Sequence, residues 1–214
     1  KPQTGSLAEQ RKRLLEIIHA KDYTVDVKKV GGEGGVVHFQ FALGRDWTVP
    51  ATVFTPPEAK ATTLLIADEG RAKQTAAVTQ LMEEGYRVVA LDPFFFGESK
   101  IKSRDFLHVI LMHAVGERAL GVQAGQIAAI ADWAVEAYGE PVELQSIGPR
   151  LSVAARLAAV QSEAIQSVTL HDPMQSLKEV LTENRGANHL PEMMCFGLLE
   201  AFDLKQIEAL KFNP

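Results

Sequence analysis

The sequence has a single cysteine, Cys195, so no internal disulfide can staple the fold and cysteine usage leaves the compartment open. Long apolar runs are missing too: stretches such as 106–115 and 127–135 are too short or too interrupted to span a bilayer. Excess charge of one sign is also lacking. The formal net charge of −5 gives no sequence-wide reason to bind nucleic acid or an anionic membrane, and leaves room for a small neutral or cationic ligand. Nor do the histidines pair as metal ligands do. His19, His38, His108, His113 and His189 show no H-x-x-x-H spacing, and the step from His108 to His113 puts those two on different faces of a helix. No metal or other cofactor is expected, and there is neither an internal repeat nor a low-complexity tract.

What is present suits one globular α/β domain. Hydrophobic residues make up 46% and charged residues 23% of 214 positions, enough for one sizeable core and too little for two comfortable ones. Residues 1–6, running through Pro2, Gln3, Thr4 and Gly5 without an initiator Met, read as a linker trimmed from something longer, with the domain expected over 7–214. Ser6 followed by Glu9 is a capping-box start for an amphipathic helix over 7–20. Three β-rich runs at 23–30, 36–43 and 47–54, separated by glycine-rich turns, predict an antiparallel meander.

After Pro56-Pro57 the texture changes to buried-type strands at 62–67, 86–91, 142–147 and 166–171. Helical stretches at 72–84, 116–138 and 151–160 lie between them, and helices are expected in the tail at 174–181, 193–202 and 204–210. The order predicts an α/β fold with a mixed, mostly parallel sheet covered on both faces. In such sheets ligands bind outside the carboxyl ends of the parallel strands, so the turns 68–71, 92–99, 148–152 and 172–173 are expected to converge.

Residues 81–99, with Leu81, Gly85-Tyr86, Val88, Asp92 and Gly97-Glu98-Ser99, resemble the "LxxxGYxVxxxDxxGxGxS" segment of α/β-hydrolases, with Phe95 at the first glycine of the final turn. Residues 116–123, with Leu120-Gly121-Val122-Gln123, and the tail 191–212 are similar to acetyl xylan esterase-like and dienelactone hydrolase-like members. The resemblance covers roughly 49–212 and implies the α/β-hydrolase fold, esterase chemistry on acetylated carbohydrate, and a secreted or periplasmic setting. In this fold the nucleophile sits on a strained strand-to-helix turn written G-x-S-x-G. Here that stretch is Gly148-Pro149-Arg150-Leu151-Ser152, so Arg150 replaces the serine. An always-protonated arginine cannot attack an ester carbonyl. Ser152 is the one nearby substitute, and its plain role would be to cap the helix start. The resemblance also calls for a further strand and a histidine loop beyond Phe212-Asn213-Pro214, so the domain is expected to be C-terminally incomplete and without that histidine.

Around this vestigial site several residues compete between functional and structural roles. Asp172 ends the fourth parallel strand and is either the vestigial acid or a turn residue, and His171 beside it either faces the crevice or simply packs. Asp68-Glu69-Gly70-Arg71 occupies the turn where active relatives supply an oxyanion-hole N–H. Two carboxylates there would repel an oxyanion, whereas a solvated helix entry would welcome them. Arg150 is expected to form a salt bridge with Asp68, Glu69 or Asp172 across the site. Of Phe94-Phe95-Phe96, at least one is expected to reach the crevice or a partner, which puts Phe95 among the binding candidates.

The expected function is a non-catalytic domain with a structural or binding role, alongside a sister hydrolase domain or a partner chain. Two alternatives stay open: an active carboxylic ester hydrolase completed by other sequence, with Ser152 attacking, and a module that holds a carboxylate or carbohydrate through Arg150.

Overall fold

The computed structural model describes residues 5–212. Ser6 starts the first helix with the reciprocal box: the Glu9 N–H donates to Ser6 Oγ (3.3 Å) and the Ser6 N–H donates to Glu9 Oε2 (2.7 Å). That helix, α1 (Leu7–Ile17), leads into an antiparallel meander of β1 (Val25–Gly31), β2 (Val36–Leu43) and β3 (Trp47–Phe54). The alternating half follows as β4 (Ala61–Ala67), α2 (Thr75–Glu83), β5 (Tyr86–Leu91), α3 (Asp105–Ala114), α4 (Ala119–Tyr138), β6 (Val142–Ile147), α5 (Pro149–Gln161) and β7 (Ile165–His171). The tail holds α6 (Glu179–Thr182), α7 (Leu198–Ala201) and α8 (Leu204–Phe212).

One seven-stranded sheet runs in the order β1-β2-β3-β5-β4-β6-β7, with β5, β4, β6 and β7 parallel and β3 antiparallel to β5. Right-handed crossovers then fix the layers. The step from β4 to β5 runs one way along the sheet and the steps to β6 and β7 run the other, so α2 covers one face while α4 and α5 cover the opposite one. Between those layers β4 is buried from Thr62 to Ala67, as a continuous apolar run covered on both faces should be. The larger core joins α4, α5 and α8 to the sheet, and a smaller one of Leu65, Val78, Leu81, Val88 and Ala90 lies beneath α2. Travel along the sheet reverses between β4 and β6. The crevice therefore belongs outside the carboxyl ends of those two strands.

The close fit of α4 depends on one glycine. A Cβ on Gly121 would stand 1.9 Å from the carbonyl oxygen of Ile18, so only a bare Cα lets the chain leaving α1 cross α4 there. On the sheet side, Trp133 of α4 meets the edge of Phe41 on β2 at 4.7 Å between centroids.

The tail differs from expectation. Helices predicted over 174–181 and 193–202 shrink to Glu179–Thr182 and Leu198–Ala201. The Asp203 carboxylate accepts from Ser176 Oγ (2.6 Å) and the Leu177 N–H (2.8 Å), holding that stretch as a loop. Gly197, in the left-handed region at φ 87°, delays the start of α7. The 3-10 turn Arg71–Lys73 likewise postpones α2 to Thr75, and α3 is a helix that the periodicity did not assign.

Candidate functional site

The nominated turns do converge. β4 and β6 are parallel neighbours, so the chain leaving β4 at Asp68 lies beside the chain leaving β6 at Gly148. The Asp68 N–H donates to the Ile147 carbonyl at 2.9 Å, which pins the two turns together. Gly148 then takes φ 103° and ψ 158°, and a Cβ there would come within 2.5 Å of the Asp68 carboxyl carbon. The sharp bend therefore sits at Gly148, with Pro149 opening α5 and Arg150 following inside the first helical turn. Arg150 is not among the non-glycine residues of positive φ, so the strain that normally lifts a nucleophile over the sheet is absent at its position.

Asp68 fills the space above that first turn. Its carboxylate accepts the backbone N–H groups of Arg150 (2.9 Å) and Leu151 (2.8 Å), two of the donors that every helix start leaves unpaired. Leu151 directly follows the position where the resemblance expects a nucleophile, and that resemblance would make its N–H an oxyanion donor. The other expected donor, the Gly70 N–H, is bonded to the Ala67 carbonyl at 2.8 Å. Both are committed internally.

The Arg150 side chain has a partner that the sequence did not suggest. Its guanidinium grips Glu192 in a bidentate pair, Nε to Oε1 at 2.6 Å and Nη2 to Oε2 at 2.7 Å. Glu192 belongs to the 3-10 turn Pro191–Met193 and is 1% exposed. This corrects the expected bridge to Asp68, Glu69 or Asp172: Asp68 meets the backbone of Arg150, Glu69 is exposed, and Asp172 is exposed in the left-handed region at φ 49°. The guanidinium also stacks over the Phe96 ring at 4.7 Å. Burial works against its charge, but the hydrogen bonds and charge of Glu192, with Asp68 and Asp105 behind, outweigh that and hold its pKa above the ordinary arginine value.

The remaining candidates have structural work. Ser152 is fully buried; its hydroxyl donates to the Pro149 carbonyl (2.7 Å) and accepts from the Met174 N–H (3.1 Å), tying α5 to the loop after β7. It is one turn into the helix and not at an apex. His171 is exposed, its ring 3.3 Å from Gln145 Oε1. Arg71 pairs with buried Asp92 and with Glu98 (2.9 Å). All three phenylalanines are buried; Phe95 stacks on Phe94 at 4.0 Å, and the one beneath Arg150 is Phe96. Phe95 takes φ 76°, the left-handed backbone that its position demands and that a glycine would adopt without strain.

Burial raises the Asp68 carboxyl above the ordinary aspartate value, although the Leu151 and Arg150 N–H bonds and the Arg150 charge pull it down. A carboxyl raised on folding takes up a proton between the unfolded and folded values. Its contribution to stability is greatest below the ordinary value and declines as pH rises through the folded one. Asp68→Asn is expected to flatten this decline in urea-midpoint series across that window, while losing about 1 kcal/mol because one N–H is left facing an amide. An unchanged pH slope would contradict the assignment.

No protein-family model matches the chain, and no curated protein matches it by sequence. Solved structures do. An acetyl xylan esterase from Thermoanaerobacterium sp. superposes with a TM-score of 0.65 at 15% identity, over 97% of this chain and 76% of that one. A Bacteroides fragilis protein assigned as an acetyl xylan esterase gives 0.78 at 13% identity, over 97% of this chain. This chain spans 65% of that protein's length, less than two thirds. A Bacillus coagulans carboxyl esterase gives 0.50 at 16% identity, over 76% of this chain and 56% of that one. What these likenesses show is the fold alone, a mixed sheet with a mostly parallel core and helices on both faces, as in α/β-hydrolases.

Proposed function

We propose that the crevice of this α/β-hydrolase domain is catalytically inert and that the domain has a structural or binding role within a larger esterase-like protein. The observation that carries the reading is the Asp68 carboxylate seated on the Arg150 and Leu151 N–H groups, where an acyl-transfer enzyme needs unpaired donors. Loss of one oxyanion donor alone slows such enzymes by about a hundred- to a thousand-fold. Here a carboxyl group also occupies the place where the oxyanion would develop. The position of attack holds a guanidinium, which has no nucleophilic lone pair and is already bound to Glu192.

The same contacts weigh against the two alternatives. Attack by Ser152 would require breaking both of its buried hydrogen bonds and moving it out of α5. A ligand carboxylate would compete with Glu192 for the Nε and Nη2 edge of Arg150, and Glu192 is held in place and shielded from water. The test is direct. The purified chain is expected to turn over p-nitrophenyl acetate no faster than its Ser152→Ala variant and to remain unlabelled by a fluorophosphonate probe. Serine-dependent turnover above that control would overturn the proposal.

A further inference from the structure

The crevice is filled, yet the opposite side of the meander is open. The register pairs His38 with Thr52 and Thr52 with Ala90, so those three side chains share one face of β2, β3 and β5. The other face of β2 is packed by Phe39 and Phe41 against Trp133 of α4. On the His38 face, α2 packs over the small core of β4 and β5, and a cavity of about 810 Å³ remains between it and the meander. That size lies within the usual range of small-molecule sites.

The cavity has two ends of different chemistry. Its body is apolar, with Phe54, Val78, Met82 and Ala90 in the wall. At the other end stand His38, Thr52, Arg71 and Glu98. Arg71 pairs with the Asp92 carboxylate, which is 1% exposed, and with Glu98 at 2.9 Å, while its Nε–H donates to Thr52 Oγ1 at 3.4 Å. Two carboxylates thus offset one guanidinium and leave no free cation for an anionic ligand. Thr52 Oγ1 also lies 3.0 Å from His38 Nδ1. A threonine hydroxyl has one proton and two acceptor sites, so while accepting from Arg71 it can either donate to His38 Nδ1 or accept from it. His38 Nε2 then offers the complementary role, acceptor or donor, on an exposed residue that lines an apolar cavity.

We infer that this cavity between α2 and the meander binds an uncharged amphiphile with an apolar chain and a hydroxyl group, able to donate or accept, that hydrogen-bonds His38 Nε2. Medium-chain alcohols have that chemistry. The site is independent of the inert-crevice reading, since Asp68, Arg150 and Glu192 are not among its lining residues.

Three probes of equal chain length separate the possibilities: n-octanol, octanoate and octylammonium. Each is titrated into the full chain while the methyl signals of Met82 and Val78 are followed by NMR. Octanol is expected to shift both signals saturably, and both charged probes to bind about ten-fold more weakly or worse, because an ionised head must be desolvated without a free counter-charge. Thr79→Trp, at an exposed α2 position lining the cavity, is expected to abolish the shifts while the far-ultraviolet circular dichroism stays native. Should that variant fail to fold, Thr75→Phe, likewise exposed in the lining, supplies the same readout. The proposal fails if octanol gives no saturable shift, if either charged probe binds as tightly, or if a folded filled variant still responds.

Discussion

Arg150→Ala is expected to cost about 4 kcal/mol of folding stability and Glu192→Ala about 3 kcal/mol, both measured by urea denaturation. The asymmetry follows from the geometry of the pair. Removing the arginine strands a carboxylate that is 1% exposed, whereas removing the glutamate leaves a guanidinium whose side chain is 22% exposed. The stranded guanidinium also keeps the Phe96 ring beneath it and the charges of Asp68 and Asp105 nearby. The paired replacement Arg150→Met with Glu192→Leu should return to within about 1 kcal/mol of the parent, because a buried ion pair gains little over a well-packed apolar pair of similar volume. A single-substitution loss below about 1 kcal/mol would mean that the bidentate contact does not persist in solution.

Gly121→Ala is expected to destabilise the protein by about 2 kcal/mol, net of two opposing effects. Alanine in a helix interior is favoured over glycine by about 1 kcal/mol, which taken alone predicts a more stable α4. Against that, the new methyl carbon would meet the Ile18 carbonyl oxygen at 1.9 Å, and the obstacle is backbone that cannot rotate aside. Forcing an extra carbon into a closed interface costs about 3 kcal/mol at the upper end of such changes, so the clash wins. A thermal or urea midpoint at or above the parent's would show that the end of α1 yields without cost. Gly139, the glycine that ends α4, has nothing within 4 Å of its would-be Cβ but takes φ 83°, so alanine there would report backbone strain without crowding.

The parallel half of the sheet was the most legible part of the sequence. The runs 86–91 and 142–147 coincide with β5 and β6, the first ending in a continuous apolar stretch and the second alternating buried with half-buried residues, both bounded by turn residues. Helix α3 was not legible in the same way. Leu107, Ile110 and Leu111 are exposed while Val109 is buried and Met112 packs on the core, so apolar residues lie on both sides of the helix and their spacing does not single out the buried face.

At the site, the turns could be nominated but their bonds could not. Placing Asp68 opposite Arg150 needed only strand order, yet the carboxylate chose backbone N–H groups over the guanidinium because it sits directly on the start of α5. Glu192 lay 42 residues further along the chain, in a one-turn element with no periodic signature. Pairing of buried charges over such a span is decided by packing, and no local pattern records it. The Asp92–Arg71 pair was missed similarly, although Asp92 ends a fully buried strand stretch and an acid in such a place needs a partner.

The location of the bend at Gly148 limits what a change of side chain alone could achieve. A serine written in at 150 would inherit the relaxed torsions of an ordinary helical first turn, with its amide still tethered to Asp68. Lifting such a hydroxyl over the sheet would thus take two changes, one to the residue and one to the path of the main chain, and the second would have to begin by evicting the aspartate.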